Sequence, residues 1–69
     1  MSGRQYRYAM IRNAREERGM KIVQAARLAG ISRVHWWRLE HGKHASFELI
    51  RRASRILDLD WRAVVTVVT

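Results

Sequence analysis

The chain has 69 residues, 14 Lys and Arg against 6 Asp and Glu, a formal net charge of +8, no cysteine and no proline. That length allows one domain, which buries only ~60% of the surface its unfolded chain exposes, and without cysteine neither a disulfide nor a thiolate-bound metal supplements the core. So large a positive field on so small a body points to a polyanionic partner, nucleic acid first and an anionic membrane surface second; no apolar run approaches the ~20 residues of a membrane span.

The N-terminus holds Arg4 and Arg7, with no apolar signal-peptide core after them, so a cytoplasmic, nucleoid-associated location is expected. Residues 1–7 read as a basic arm, either a frayed end or one whose Arg4 and Arg7 touch phosphates. From Tyr8 to Arg18 a first helix is predicted. Tyr8, Ile11, Ala14 and Arg15 share one face at helical spacing, and Arg12, Glu16 and Glu17 face out. Gly19 stops the helix and Met20 returns to the core. Arg15 stands on the apolar side, where a guanidinium needs an acid partner. Glu40 has the mirror-image problem, so the two are expected to pair.

The stretch KIVQAARLAGISRVHWWRLEHG, Lys21 to Gly42, organises the rest. It predicts two helices joined by the tight turn Ala29-Gly30-Ile31-Ser32. Gly30 can take the positive φ that ends a helix, and the Ser32 hydroxyl can cap the next one, from about Ser32 to His41, which closes on Gly42. Ile22, Ala25, Ala26 and Ala29 share the inner face of the first helix. Three alanines make that face thin, which leaves room for a large Trp36 opposite; Val23 and Leu28 fall outside it. In the second helix Trp36, Leu39 and Glu40 cluster on one side. Val34, Trp37, Arg38 and His41 lie opposite, with Arg33 near the N-terminal edge. An outward face with no acid suits a groove better than bulk water.

Residues 42–45 form a loop carrying Lys43 and His44. Ser46 is a candidate N-cap for a fourth helix, Phe47 to about Leu57, with Phe47, Ile50, Ala53, Ser54 and Leu57 inside and Arg51, Arg52 and Arg55 on a solvated face. Asp58 or Asp60 can cap a short fifth helix from about Trp61, with Leu59 and Trp61 packing back. The tail, residues 63–69, is nearly all β-branched and favours a strand. A lone apolar strand is a liability; pairing with a second copy would explain it, and the alternative is that it packs on its own core or stays disordered. The expected architecture is all-α: a compact five-helix bundle with a helix-turn-helix and a short C-terminal β-strand. Residues 1–7 form the arm, 8–65 the domain and 66–69 the tail.

The ordered set Ile11, Arg15, Gly19, Ala26, Gly30-Ile31-Ser32, Arg33, Arg38-Leu39-Glu40 and Gly42-Lys43, with the apolar spacing Phe47, Ile50, Leu57, Leu59, resembles the phage repressor family, the Cro/C1-type or XRE-like helix-turn-helix domains. The resemblance covers roughly Ile11 to Val65. It implies a five-helix bundle that binds operator DNA, usually as a homodimer, with an ion pair often found at the Arg15 and Glu40 positions. The chain departs from the pattern at three places. A glutamine commonly opens the first motif helix and holds a phosphate where this chain has Ile22, leaving that contact to Lys21 or Gln24. An aliphatic residue usually sits at the Trp36 position, and the Trp37 position is commonly polar.

The function expected is that of a sequence-specific double-stranded DNA-binding regulator of transcription, a repressor first, reading the major groove with helix 32–41. Arg33, Val34, Trp37 and Arg38 are the base-contacting candidates. An Arg fork can bond guanine O6 and N7, and Val34 can meet a thymine methyl. Lys21, Gln24, Ser32, His35, Lys43, His44, Arg4 and Arg7 are the phosphate-contacting candidates. A homodimer, through residues 64–69, would set two recognition helices ~34 Å apart on a near-palindromic operator. The rival is an antitoxin-like or other protein-interaction module using the Val34/Trp37 face or the tail. A membrane-surface binder ranks third, because short Gly-broken helices give no long amphipathic face. An enzyme is not expected, nor a cofactor, metal or small-molecule ligand. His35, His41 and His44 lack carboxylate or cysteine company, and Glu40 has no second carboxylate near it in sequence.

Overall fold

Three helices start on the side-chain oxygen of an N-cap residue, and four stop at residues that turn left-handed. The computed structural model describes residues 3–43 and 46–68, with backbone alone for 3–5 and 66–68. In chain order these form β1 (Gly3–Tyr6), α1 (Tyr8–Glu17), α2 (Ile22–Ala29), α3 (Arg33–Glu40), α4 (Phe47–Ile56), α5 (Trp61–Val64) and β2 (Val65–Val68). Ser32 Oγ accepts the His35 N–H at 3.0 Å to start α3, and Ser46 Oγ accepts the Leu49 N–H at 3.1 Å to start α4. Asp60 Oδ1, rather than Asp58, caps α5 by accepting the Arg62 N–H at 3.0 Å. Each such cap contributes ~1 kcal/mol. At the end of α2, Gly30 sits at φ 72°. Its N–H bonds Arg27 O while the Ile31 N–H reaches back to Ala26 O, the two-bond Schellman closure. Asp58, at φ 55°, closes α4 by the same pair of bonds without a glycine.

The core is Ile11, Ala14, Ala25, Ala26, Ala29, Trp36, Leu39, Leu49, Ile50, Ala53, Leu57 and Val64. Trp36 is the largest fully buried side chain, and it shares the core with the three alanines of α2, which packs on both α3 and α4. Two placements differ from the helical-spacing reading. Leu49 is buried in α4, whereas Phe47 is half-buried at the rim, edge-on to Trp61 with ring centres 5.3 Å apart. As the first residue of α4, Phe47 stands beside α5 and not beneath the helix. Val64 is fully buried as the last residue of α5, immediately before the chain extends into β2.

The larger correction concerns the ends of the chain. The stretch expected as an arm forms β1, which pairs antiparallel with β2 in the register Gly3↔Val68, Arg4↔Val67, Gln5↔Thr66 and Tyr6↔Val65. The Arg7 N–H donates to Val64 O at 2.8 Å, carrying the ladder to the α5 junction. The β-branched tail therefore meets its backbone partners within its own chain instead of in a second copy. The two strands thereby satisfy backbone groups that each alone would leave unpaired.

Candidate nucleic-acid interface

The roll of α3 about its axis decides what the molecule presents, and a buried polar network fixes that roll. Arg15 of α1 donates from Nε to Glu40 Oε2 at 2.6 Å, from Nη2 to Oε1 at 3.2 Å and from Nη1 to Met20 O at 2.8 Å. The Trp36 indole Nε1–H donates to the same Glu40 Oε2 at 2.6 Å. The Glu40 side chain is 1% exposed and that of Arg15 11%. A bidentate Arg–carboxylate pair is directional as well as strong, so α3 cannot rotate without breaking it. The indole N–H supplies a third donor, which lets an indole sit in the core with its one polar atom satisfied. The four-residue spacing puts Trp36 and Glu40 on one face of α3, but spacing alone does not disclose the bond between them.

With Trp36, Leu39 and Glu40 inward, Val34 is left 53% and Trp37 42% exposed, flanked by the exposed Arg33 and Arg38. Carboxylates within ion-pair reach of a cation are Glu16, Glu40 and Glu48 among the described residues, and none of them serves Arg33, Arg38 or Lys43. Ile22, at the first turn of α2, lines a shallow groove with Arg33, Val34 and Trp37. An apolar strip thus runs between unneutralised cations.

Trp37 is not a loose side chain. Its ring stacks on His41 with centres 3.8 Å apart and planes 15° from parallel, and Lys43 Nζ stands 5.9 Å from the ring centre. His41 Nδ1 lies 2.8 Å from the Trp37 carbonyl. A carbonyl only accepts, so Nδ1 carries the proton and Nε2 points outward. His41 was placed on this face by its spacing but given no role; its four-residue offset from Trp37 is the signal that stacks the two rings.

The phosphate candidates divide by position. Lys21 is exposed ahead of α2, and its backbone N–H donates to Gln24 Oε1 at 2.7 Å. That bond commits the Gln24 oxygen and leaves its amide NH2 to donate. Ser32 Oγ is likewise committed as an acceptor, with its hydroxyl proton still to give. His35 is half-buried in a recess lined by Ile31, Ser46, Glu48, Leu49 and Arg52, on the flank of α3 toward α4. Arg7 is exposed, but its backbone is tied to the α5 end of the molecule. Arg4 lies in β1 opposite Val67; its side chain, and all of His44, fall outside the described residues. The structure therefore gathers Arg33, Val34, Trp37 and Arg38 with Ile22, His41 and Lys43, and sets Arg4 and Arg7 in or beside the β-ribbon.

Among the described residues no group of three or more His, Cys, Asp or Glu could hold a metal ion, and no helix is long and apolar enough to cross a membrane. A family model described as a helix-turn-helix domain matches residues 9–65, from α1 through α5. No curated protein and no solved structure matches the chain.

Proposed function

The chain belongs to the helix-turn-helix domain family and is a DNA-binding domain of that kind, and from this we propose that it regulates transcription by sequence-specific binding, chiefly as a repressor, with α3 in the major groove. The observation that carries the reading is the acid-free outward face of α3, held in place by the Arg15–Glu40–Trp36 network. Arg33 and Arg38 are the guanine readers, each fork contributing ~1–3 kcal/mol of discrimination. Val34 and Ile22 offer thymine methyls an apolar surface. The stacked Trp37–His41 pair is a flat wall for the sugar-phosphate edge. Lys21, Gln24, Ser32, His35 and Lys43 hold phosphates and set the register, with His44, Arg4 and Arg7 completing that set. The kinship proposed is with the Cro/C1-type phage repressors. The active species is a homodimer on a near-palindromic operator, joined through residues 64–69, since among the described residues β2 has a strand, β1, on one side alone.

Selection of bound sequences from random duplexes tests this: a recovered palindrome with G-containing half-sites is the expected result. Arg38→Ala should then relax the base preference at one position. Lys43→Ala should weaken all sequences alike and lower the salt slope by about 0.9. Equal losses on operator and random DNA for Arg38→Ala would remove its base-reading role. The antitoxin-like reading draws on the Ile22–Val34–Trp37 strip. A module built only for protein would show no steep fall in duplex affinity with rising salt.

A further inference from the structure

Away from α3, the cations crowd on one other face. Arg51, Arg52 and Arg55 stand on α4 opposite its buried residues Leu49, Ile50, Ala53, Ser54 and Leu57, and Arg62 of α5 is also exposed. Arg52 is spoken for: it donates to Ala29 O at 3.1 Å and pairs with Glu48 at 3.4 Å, which ties it toward α2. Arg51, Arg55 and Arg62 have no carboxylate within ion-pair reach among the described residues. Arg51 and Arg62 turn toward the rings at the α4–α5 seam; Arg55 lies four residues along α4 from Arg51, and both border the recess that holds Glu48 and Arg52. The guanidiniums of Arg51 and Arg62 each lie 5.6 Å from the Trp61 ring centre, and that of Arg51 lies 5.9 Å from Phe47. Such contacts order a cation without neutralising it.

α4 packs chiefly on α2 and α5, and α3 on α2 and α1; the two adjoin at the His35 recess, which Arg52 borders and Arg51, Arg55 and Arg62 do not. We propose that Arg51, Arg55 and Arg62 form a second phosphate-binding surface that takes the backbone of another duplex segment, so that a molecule engaged through α3 bridges to a second duplex. That the molecule is engaged through α3 rests on the proposed function; the second surface rests on this cluster alone. Every cation on α4 and α5 is arginine, whose planar fork matches a phosphate, and both lysines of the chain, Lys21 and Lys43, lie near the α3 face. The Trp61 ring is already occupied by two guanidiniums and the edge contact with Phe47, so it does not offer a platform for an unstacked base. The contact is therefore with duplex backbone and independent of sequence.

The test is capture. Duplex containing the selected site is immobilised, loaded with protein, and offered a fluorescent duplex of unrelated sequence. Wild type should retain the second duplex. Arg51→Gln/Arg55→Gln/Arg62→Gln should hold the immobilised duplex within about threefold of wild type yet lose capture at least about tenfold, the salt slope of capture falling by roughly 0.9 per lost contact. The triple Lys variant, keeping the charge, should retain most of the capture, which separates lost phosphate binding from a damaged fold. No capture by wild type, or undiminished capture by the Gln triple, overturns the proposal. So does joint loss of both activities in a Gln triple with unchanged circular dichroism, since the arginines would then belong to the α3 interface. Loss of binding to phosphatidylglycerol vesicles with capture intact would reassign the surface to membrane. A wild-type chain that fails to hold the immobilised duplex at low salt overturns the α3 reading along with this one.

Discussion

Removing the Glu40 carboxylate is the sharpest perturbation of this fold, because three donors depend on its two oxygens. Glu40→Ala leaves the Arg15 guanidinium, 11% exposed, with the Met20 carbonyl and the exposed Glu16 carboxylate 3.8 Å from Nη2, and leaves the indole N–H of a fully buried Trp36 with no partner. Breaking a buried ion pair from one side costs ~3–5 kcal/mol, and an orphaned buried N–H adds ~1–3 kcal/mol, less than additively. A chain of 69 residues has a total stability of about 3–10 kcal/mol, so Glu40→Ala should be largely unfolded at physiological temperature. Glu40→Gln keeps the shape and one acceptor oxygen, but turns an NH2 toward a donor; a loss of ~2–3 kcal/mol is expected. Arg15→Leu/Glu40→Leu removes both charges and should cost less than the sum of Arg15→Leu and Glu40→Leu made singly, giving a coupling energy of about 2 kcal/mol. Urea unfolding followed by tryptophan fluorescence and circular dichroism measures wild type and every one of these variants, and urea avoids the screening that guanidinium salt would impose. Single-variant losses under ~1 kcal/mol, or additivity within ~0.5 kcal/mol, would show that the network does not hold α3.

Gly42→Ala and Gly30→Ala both place a Cβ at φ 72°, but at Gly30 nothing lies within 4 Å, whereas at Gly42 the new atom meets Tyr8 Cε2 at 2.9 Å and Cδ2 at 3.1 Å. Both should lose ~1–2 kcal/mol to the left-handed backbone. Gly42→Ala should lose ~1–3 kcal/mol more, an excess that Tyr8→Ala abolishes in a double-mutant cycle. Ala25→Leu or Ala29→Leu, at positions no more than 3% exposed, should overpack the core beside Trp36 by ~1–3 kcal/mol; an equal or higher melting temperature would remove the size-matching argument. Burial, then the neighbouring Tyr6, raises the Tyr8 pKa above 10.0. A raised acid favours the neutral form in the folded state, so its contribution is full below pH 10 and is lost as pH climbs toward the folded value. Tyr8→Phe should therefore show a smaller fall in urea midpoint between pH 9 and pH 11 than wild type.

The parts of this fold that follow from short-range rules were legible in the residues. Ser32 and Ser46 cap the helices assigned to them, Gly30 closes α2, and the inward set of α3 is Trp36, Leu39 and Glu40. Each of these depends on a spacing of three or four residues within one helix. Arg15 and Glu40, 25 positions apart, came within reach only because each was misplaced for its own helix, and two such misfits in one small core leave few ways to resolve them. What the residues did not disclose was geometry across elements with no such misfit to announce it. β1 reads as a polar, basic end because half of a two-stranded ribbon carries little hydrophobic period, and its partner lies at the other end of the sequence. Arg52 reads as one of three equivalent outward cations until its guanidinium is seen on the Ala29 carbonyl at the end of α2, which distinguishes it from Arg51 and Arg55. On the candidate site the same division holds: periodicity places Val34, Trp37 and Arg38 outward, but the stacking of Trp37 on His41 depends on χ angles. That stacking fixes an exposed indole in place, so the proposed contact with a sugar-phosphate edge would cost little further side-chain entropy.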